Sequence, residues 1–402
     1  MTNIGTLYGY ELRKILRRKI VWISTAIILI MIFITVISPL LGAYYLDDVK
    51  IDTHYHMFQM DKAYEQRLNN RLINQSLLEE MKVGYDKIPS DVQHYTDNEE
   101  YQTYARPYSA IFNFVRGMTN MTVAEAMQWT PDEQDMYRRR QVMLEESWKS
   151  NSLSQDEKDF WKVQEEKIEW PIRFHYKEGY WRLFASLYTI GLMTLIIITI
   201  CLSTVFTEEH TKKTDQLILS SKHGRETIYW SKLLAGVSFS LMVSIAFTSI
   251  AFIIAFAAFG SEGFSSAFQL MWGEYSYPLS TGEASLISYG MMIIASVITG
   301  VFVMALSELL HSSIGTLSLV LGLIILPMFF SMPEQYRVLS QLWSYLPSEF
   351  VAIWSIFSPQ LIQVWGKYYM AWQVVPVLYI ILSGVFALIG KMAYTRYQVN
   401  GR

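Results

Sequence analysis

The chain has 402 residues, of which 51% are hydrophobic, 15% aromatic and only 17% charged. Soluble chains are about one-quarter charged, so this composition excludes a disordered chain and a nucleic-acid binder. The single cysteine excludes a disulfide scaffold, a cysteine-based zinc site and an iron–sulfur cluster. A formal net charge of −3 points to no acidic or basic partner. A mean hydropathy of +0.19 is modest for a chain made only of membrane spans. The average therefore joins two different materials.

Residues 1–19 form the first predicted element, a basic amphipathic elbow helix. Ile4, Tyr8, Leu12 and Ile15 fall on one helical face, while Arg13, Arg17 and Arg18 project elsewhere. Such a helix lies in the plane of a membrane interface, with its cations toward anionic lipid headgroups. Stretches free of Asp, Glu, Lys and Arg then run over 20–46, 183–207, 233–261, 284–307, 309–333 and 368–390. Each is long enough to cross a hydrocarbon core of about 30 Å, which takes roughly 20 apolar residues. The expected fold class is therefore an all-α membrane protein with six transmembrane helices, at 20–42, 183–206, 233–259, 285–306, 312–332 and 372–391. The first is too long for the apolar region of a cleaved signal and is read as a span.

Between the first two spans, residues 43–182 make the second material, with 25 acidic and 18 basic residues. Helix signatures dominate it. Tyr64, Leu68, Leu72, Leu77 and Met81 recur at near-helical spacing. Thr130-Pro131-Asp132-Glu133 reads as a cap followed by proline, opening a helix toward Trp148, and Ser154-Gln155-Asp156-Glu157 reads as a capping box. A compact, mainly helical extracellular domain is expected. Its lack of cysteine favours a Gram-positive-type cell surface. His54 and His56 near Asp47, Asp48 and Asp52 read as surface residues rather than a metal site. Cys201 reads as a packing residue.

Orientation follows from Lys and Arg in the short loops. Residues 1–19, the loop 207–232 and the tail 392–402 with its flank carry thirteen, against two in the short loops of the other side, Arg337 and Lys367. Both termini are expected in the cytoplasm of a multi-pass plasma-membrane protein. Tyr44, Tyr45, Tyr180, Trp181, Trp365, Tyr368, Tyr369 and Trp372 flank the spans as an aromatic belt. Residues 333–371, with Pro333, Pro347 and Pro359, read as an external re-entrant or interfacial segment.

No acid, lysine or arginine is expected in a span interior, and Glu308 and His311 are placed in the turn between the fourth and fifth spans. This disfavours ion-coupled transport through buried carboxylates. The chain also has no H-E-x-x-H and no G-x-x-x-x-G-K-[ST], so neither metallopeptidase chemistry nor nucleotide hydrolysis is encoded here.

The loop 207–232 mixes five basic and four acidic residues around Leu217, Ile218 and Leu219. It resembles the cytoplasmic loop of ABC-2 type transporter permeases. Glu208 and Glu209 match the family's paired acids, Thr214 its threonine and Leu217–Leu219 its leucine-rich stretch. Ser220 and Ser221 match the next pair, Arg225 the arginine and Lys232 the lysine that opens the third span. Lys213 stands where glycine is usual and Lys222 where proline is common. The run Glu11-Leu12-Arg13-Lys14-Ile15-Leu16-Arg17 resembles the family's opening. The resemblance covers the membrane part and does not reach 43–182.

The resemblance implies a non-enzymatic permease subunit of an exporter, working as a dimer with a second copy or a paralogue. Each copy would bind a cytoplasmic P-loop ATPase that carries the ATP and Mg, with no cofactor on this chain and lipids around it. Glu208, Glu209, Thr214, Leu217, Leu219, Arg225 and Lys232 would form the coupling element, with Glu11, Arg13 and Arg17 in the adjoining elbow. Uncharged spans suit an apolar or amphipathic cargo such as a peptide, lipid or drug. The alternative is a non-transporting sensor or scaffold whose extracellular domain binds a ligand or partner.

Overall fold

The computed structural model describes residues 4–46, 49–89, 95–211 and 226–396. An amphipathic helix, α1 (Ile4–Leu16), and a longer apolar one, α2 (Lys19–Ile37), open the chain. Arg17 and Arg18 separate them, and Arg18 adopts an extended backbone as the N-cap of α2. Four further apolar helices complete the long set. These are α9 (Glu178–Leu202), which continues through a turn into α10 (Thr207–Thr211), then α11 (Thr227–Phe259), α12 (Thr281–Leu310) and α16 (Ala371–Arg396).

Among the described residues, five helices are therefore long and apolar enough to cross a membrane. The expected span at 312–332 is shorter. Helix α13 (Ser313–Ile325) ends in a 3₁₀ turn, Leu326–Met328, because Pro327 removes a backbone donor. At 1.5 Å per residue these sixteen residues cover about 24 Å, short of a 30 Å core.

The long helices touch through small residues. A Cβ on Gly236 of α11 would strike Met304 of α12, and one on Gly300 of α12 would strike Ser240 of α11. Close backbone approach of this kind is how helices associate where lipid removes the hydrophobic drive between them. Ser240, Ser244 and Ser296 of the same two helices are fully buried. The hydroxyls of Ser240, Ser288 and Thr299 donate to carbonyls four residues earlier, which satisfies them within their own helices.

The acidic insertion opens with a hairpin, β1 (Ala43–Leu46) and β2 (Val49–Thr53), and its described residues are otherwise mainly helical, with one isolated bridge between Leu72 and Arg173. The single apolar recurrence from Tyr64 to Met81 is split. Helix α3 (His54–Leu68) stops before α4 (Gln75–Tyr85), because Asn70 takes a left-handed backbone and Asn74 caps the second helix. After α5 (Ser109–Thr119) and α6 (Val123–Gln128), α7 (Glu133–Ser150) is capped by Asp132, not by Thr130. The capping box between Ser154 and Glu157 opens α8 (Gln155–Glu165).

The two ends of this domain are stitched together by Asn70, Ile73 and Phe174 backbone hydrogen bonds. Its core holds Leu77, Leu78, Phe112, Val115, Met136 and Phe174. Leu144, Trp148 and Trp161 of α7 and α8 instead join the core of the spanning bundle.

The segment after α13 folds as α14 (Arg337–Ser344), α15 (Ile353–Ile356) and a hairpin, β3 (Ile362–Val364) and β4 (Lys367–Tyr369). Phe350, Val351 and Ala352 are buried. Val351 lies against Gly191, which is about 20 Å along α9 from Glu178. This irregular backbone is therefore surrounded by protein, the condition under which non-helical chain is tolerated at membrane depth.

Candidate functional site

At the bundle end away from the inserted domain, α1 packs on α11. Ile15 is buried, Tyr8 donates to Ser238 Oγ at 3.0 Å, and Ser231 donates to the Ile4 carbonyl at 3.5 Å. Ile4, at the far end of the same stripe, is exposed. The amphipathic face of the elbow is thus used against protein.

The break between α1 and α2 brings two cations to the end of α9–α10. Arg18 donates to Glu208 Oε2 at 2.6 Å, to Thr204 Oγ1 at 2.5 Å and to the Cys201 carbonyl at 3.1 Å. Lys14 lies 3.5 Å from Glu209 and 3.7 Å from Glu11. From the other side, Lys232 of α11 reaches Glu209 at 2.5 Å and the Val205 carbonyl at 3.2 Å. The Lys232 side chain is 0% exposed and that of Glu209 only 9%. Its ammonium also sits over the Phe206 ring, 5.1 Å from the centroid. A buried charge is tolerated only when paired and hydrogen-bonded, and here one carboxylate answers two cations from different elements.

The segment 212–225 leaves the described structure and returns at α11, so both of its roots belong to this cluster. Of the coupling residues expected from the sequence, Glu208, Glu209 and Lys232 come together. Thr214, Leu217, Leu219 and Arg225 lie outside the described residues. In the elbow, Glu11 joins through Lys14, whereas Arg13 and Arg17 are exposed and make no ion pair among the described residues. The elbow residues that do the pairing are Lys14 and Arg18. The helix break that aims Arg18 was the available signal. Glu308, expected in a turn, is instead in the last turn of α12 with its side chain 0% exposed, and His311 stands 3.9 Å away.

A second set of charges fastens the inserted domain to the loops of the bundle. Arg140 of α7 is buried, pairs with Glu165 at 3.1 Å, and donates to the Gly273 and Tyr275 carbonyls at 2.9 and 3.2 Å. Glu157 accepts from Arg337 at 2.6 Å and from the Leu361 N–H at 2.9 Å. Burial works against the Glu157 charge, but these hydrogen bonds and that of Ser154 outweigh it and hold the carboxyl below its ordinary range. Trp161 Nε1 donates to the Pro359 carbonyl at 2.7 Å, and its ring meets Tyr277 edge-on at 4.7 Å.

These partners are separated by up to 204 residues, and only the capping box signalled Glu157. A cleft of about 300 Å³ between α3 and the start of α9 is lined by Glu65, Asp61 and Arg106. Burial pushes the Glu65 carboxyl up to about 7 despite the nearby Lys177. His54 lines the same cleft, its ring meeting that of Tyr44 at 5.8 Å, while His56 pairs with Asp52.

Apolar helices of spanning length, tied at one end by paired charges and at the other to a folded domain, define a multi-pass membrane protein. Residues 6–351 match the family described as ABC-2 family transporter protein, and the chain belongs to that family. The match runs through the inserted domain, which the loop resemblance did not reach. A comparison with curated proteins gave no match. Family membership makes this chain a transmembrane transporter subunit, associated with an ABC ATPase subunit rather than being the ATPase itself.

Proposed function

We propose that the chain is the permease subunit of an ABC exporter for an apolar or amphipathic cargo, driven by a separate cytoplasmic P-loop ATPase that holds ATP and Mg. The carrying observation is the cluster of Lys14, Arg18, Glu208, Glu209 and Lys232 at both roots of the 212–225 segment. A force applied to that segment by an ATPase would reach three helices at once through these pairs, as rigid-body switching requires. In this reading α13 is the sixth span, both termini are cytoplasmic, the inserted domain is extracellular on a Gram-positive-type plasma membrane, and the working unit contains a second copy or a paralogue.

The test is co-purification with the ATPase, followed by ATP turnover in lipid nanodiscs. Charge reversal at Glu208 or at Arg225 is expected to uncouple turnover from cargo or to disrupt assembly. Retention of both assembly and cargo-stimulated turnover in each variant would refute the coupling assignment. A chain that binds a ligand through its inserted domain without any ATPase would be a sensor instead.

A further inference from the structure

A cavity of about 260 Å³ lies between α12, α13 and α16 and is closed at one end by residues 345–348. Its walls include Phe302 of α12, Val320 and Leu323 of α13, and Leu382 and Phe386 of α16. Of the four hydroxyl-bearing residues in the wall, Thr299 donates to the Ala295 carbonyl and Tyr379 to the Tyr345 carbonyl, while Tyr345 and Ser348 lie at one end among otherwise apolar side chains. Water entering such a space finds few partners. Apolar cavities of about 150 Å³ are known to stay dry and to take up apolar molecules, whereas packed protein interiors hold few voids larger than a water.

The opening faces sideways. Leu323 and Leu342 line the cavity yet are 40% and 58% exposed, and they continue into the exposed Val377, Ile380 and Ile381. This is the outer surface of the spanning bundle. Helix α13 ends in the 3₁₀ turn at Pro327, so it is shorter than the α12 and α16 it packs beside, and the cavity lies along this shorter wall. Helix α14 lies at that mouth with Val338, Leu339 and Leu342 exposed. Its Arg337 and Gln341 side chains turn inward to Glu157 and the Leu361 carbonyl. An apolar face turned outward and a polar face held by protein is the arrangement of a helix lying at a membrane interface.

We infer that this cavity is a binding site for one acyl chain of a bilayer phospholipid, entering laterally beneath α14 with its headgroup at the level of that helix. The occupant must be apolar, narrow enough to lie between three helices, and present on the lipid side of the bundle. A phospholipid chain meets all three conditions. The site stands apart from the charged cluster at the other end, and the inference does not depend on whether the chain transports.

The test uses a phosphatidylcholine carrying a diazirine midway along one acyl chain, with the full chain in nanodiscs and no ATPase present. Photolysis followed by peptide mapping is expected to label the segments around 299–302, 320–324 and 378–386 several-fold more than the lipid-exposed face of α2 at Ile27 and Ile30. Val320→Trp, which fills the cavity, should lower that labelling several-fold while leaving α2 labelling unchanged. Leu382→Trp fills it from the opposite wall and repeats the test should the first variant fold poorly, as judged by its elution and melting. Uniform labelling of all lipid-facing helices would overturn the inference. So would a cavity that is unlabelled because a second copy covers it, revealed by cross-links between copies at Leu323.

Discussion

Replacing Lys232 with methionine keeps an unbranched side chain only one heavy atom shorter and removes its charge, so the perturbation acts chiefly on the pair with Glu209. Both groups lie within protein, and breaking a buried pair from one side leaves an uncompensated charge, at a cost of about 3–5 kcal/mol. Lys14 remains 3.5 Å from Glu209 and is about one-third exposed, so Glu209 is not wholly abandoned. The expected loss is therefore at the lower end, about 3 kcal/mol. Adding Glu209→Gln removes the orphaned charge, and the double variant should recover most of that loss. Such recovery is the signature of coupling in a double-mutant cycle. Unfolding in mixed micelles at increasing fractions of a denaturing detergent gives the free energies. A loss under about 1 kcal/mol for Lys232→Met, with no recovery in the double variant, would refute the claim that this pair is a buried, coupled unit.

Three other outcomes follow from the inserted domain and its junction. The Glu157 carboxyl is held below its ordinary value of 4.5, so its contribution to stability is complete above that pH and is lost as pH falls below it. Arg337→Met should flatten the acid limb of a fluorescence melting profile, and an unchanged limb would sink the assignment. Glu65 has the opposite sign: its folded carboxyl is raised to about 7, so the folded state loses stability as pH rises from the ordinary 4.5 through 7. Glu65→Gln should stabilise the protein by roughly 1–3 kcal/mol above pH ~7, discounted for the open cleft, and by nothing in acid. A gap between variant and parent that does not vary with pH would contradict this. Gly179 faces the Gly260 carbonyl so closely that a Cβ would collide with backbone. Gly179→Ala should cost about 1–3 kcal/mol, measured by thermal melting, and a neutral result would show that the two backbone segments can separate freely.

What could be read from the sequence depended on how local the cause was. Long uncharged runs announced α2, α9, α11, α12 and α16, because crossing lipid forbids charge over a contiguous stretch. The capping box at Ser154 was legible for the same reason: its two partners are three residues apart. The start of α7 was misplaced by two residues, since Thr130-Pro131 imitates a cap while Asp132 is the residue whose side chain accepts from Gln134 and Asp135. The stripe from Tyr64 to Met81 looked continuous because Leu72 preserved the spacing, yet Asn70 and Asn74 interrupt it. The elbow's apolar stripe was visible too, but not that α11 rather than lipid would cover it.

The charged site divides along the same line. Glu208, Glu209 and Lys232 carried a family pattern in one loop, so sequence could group them. Lys14 and Arg18 looked like topology signals, because any basic residue beside a first span satisfies the positive-inside rule. Their role comes from the bend at Arg17–Arg18, which turns them back onto a helix nearly two hundred residues away. Arg140 and Glu157 were harder still, with partners on loops that composition alone describes as external. The spans themselves meet through Gly236 and Gly300, with Ser240 bonded within its own helix and a Ser249–Tyr289 hydrogen bond of 2.9 Å joining α11 to α12. The ion pairs described above lie at the two ends, where Glu209 and Arg140 each bind partners from several elements. Under the proposed coupling, a displacement imposed at one end would be carried through these multi-element attachments and the close-packed seam together, as rigid-body motion of packed helices requires.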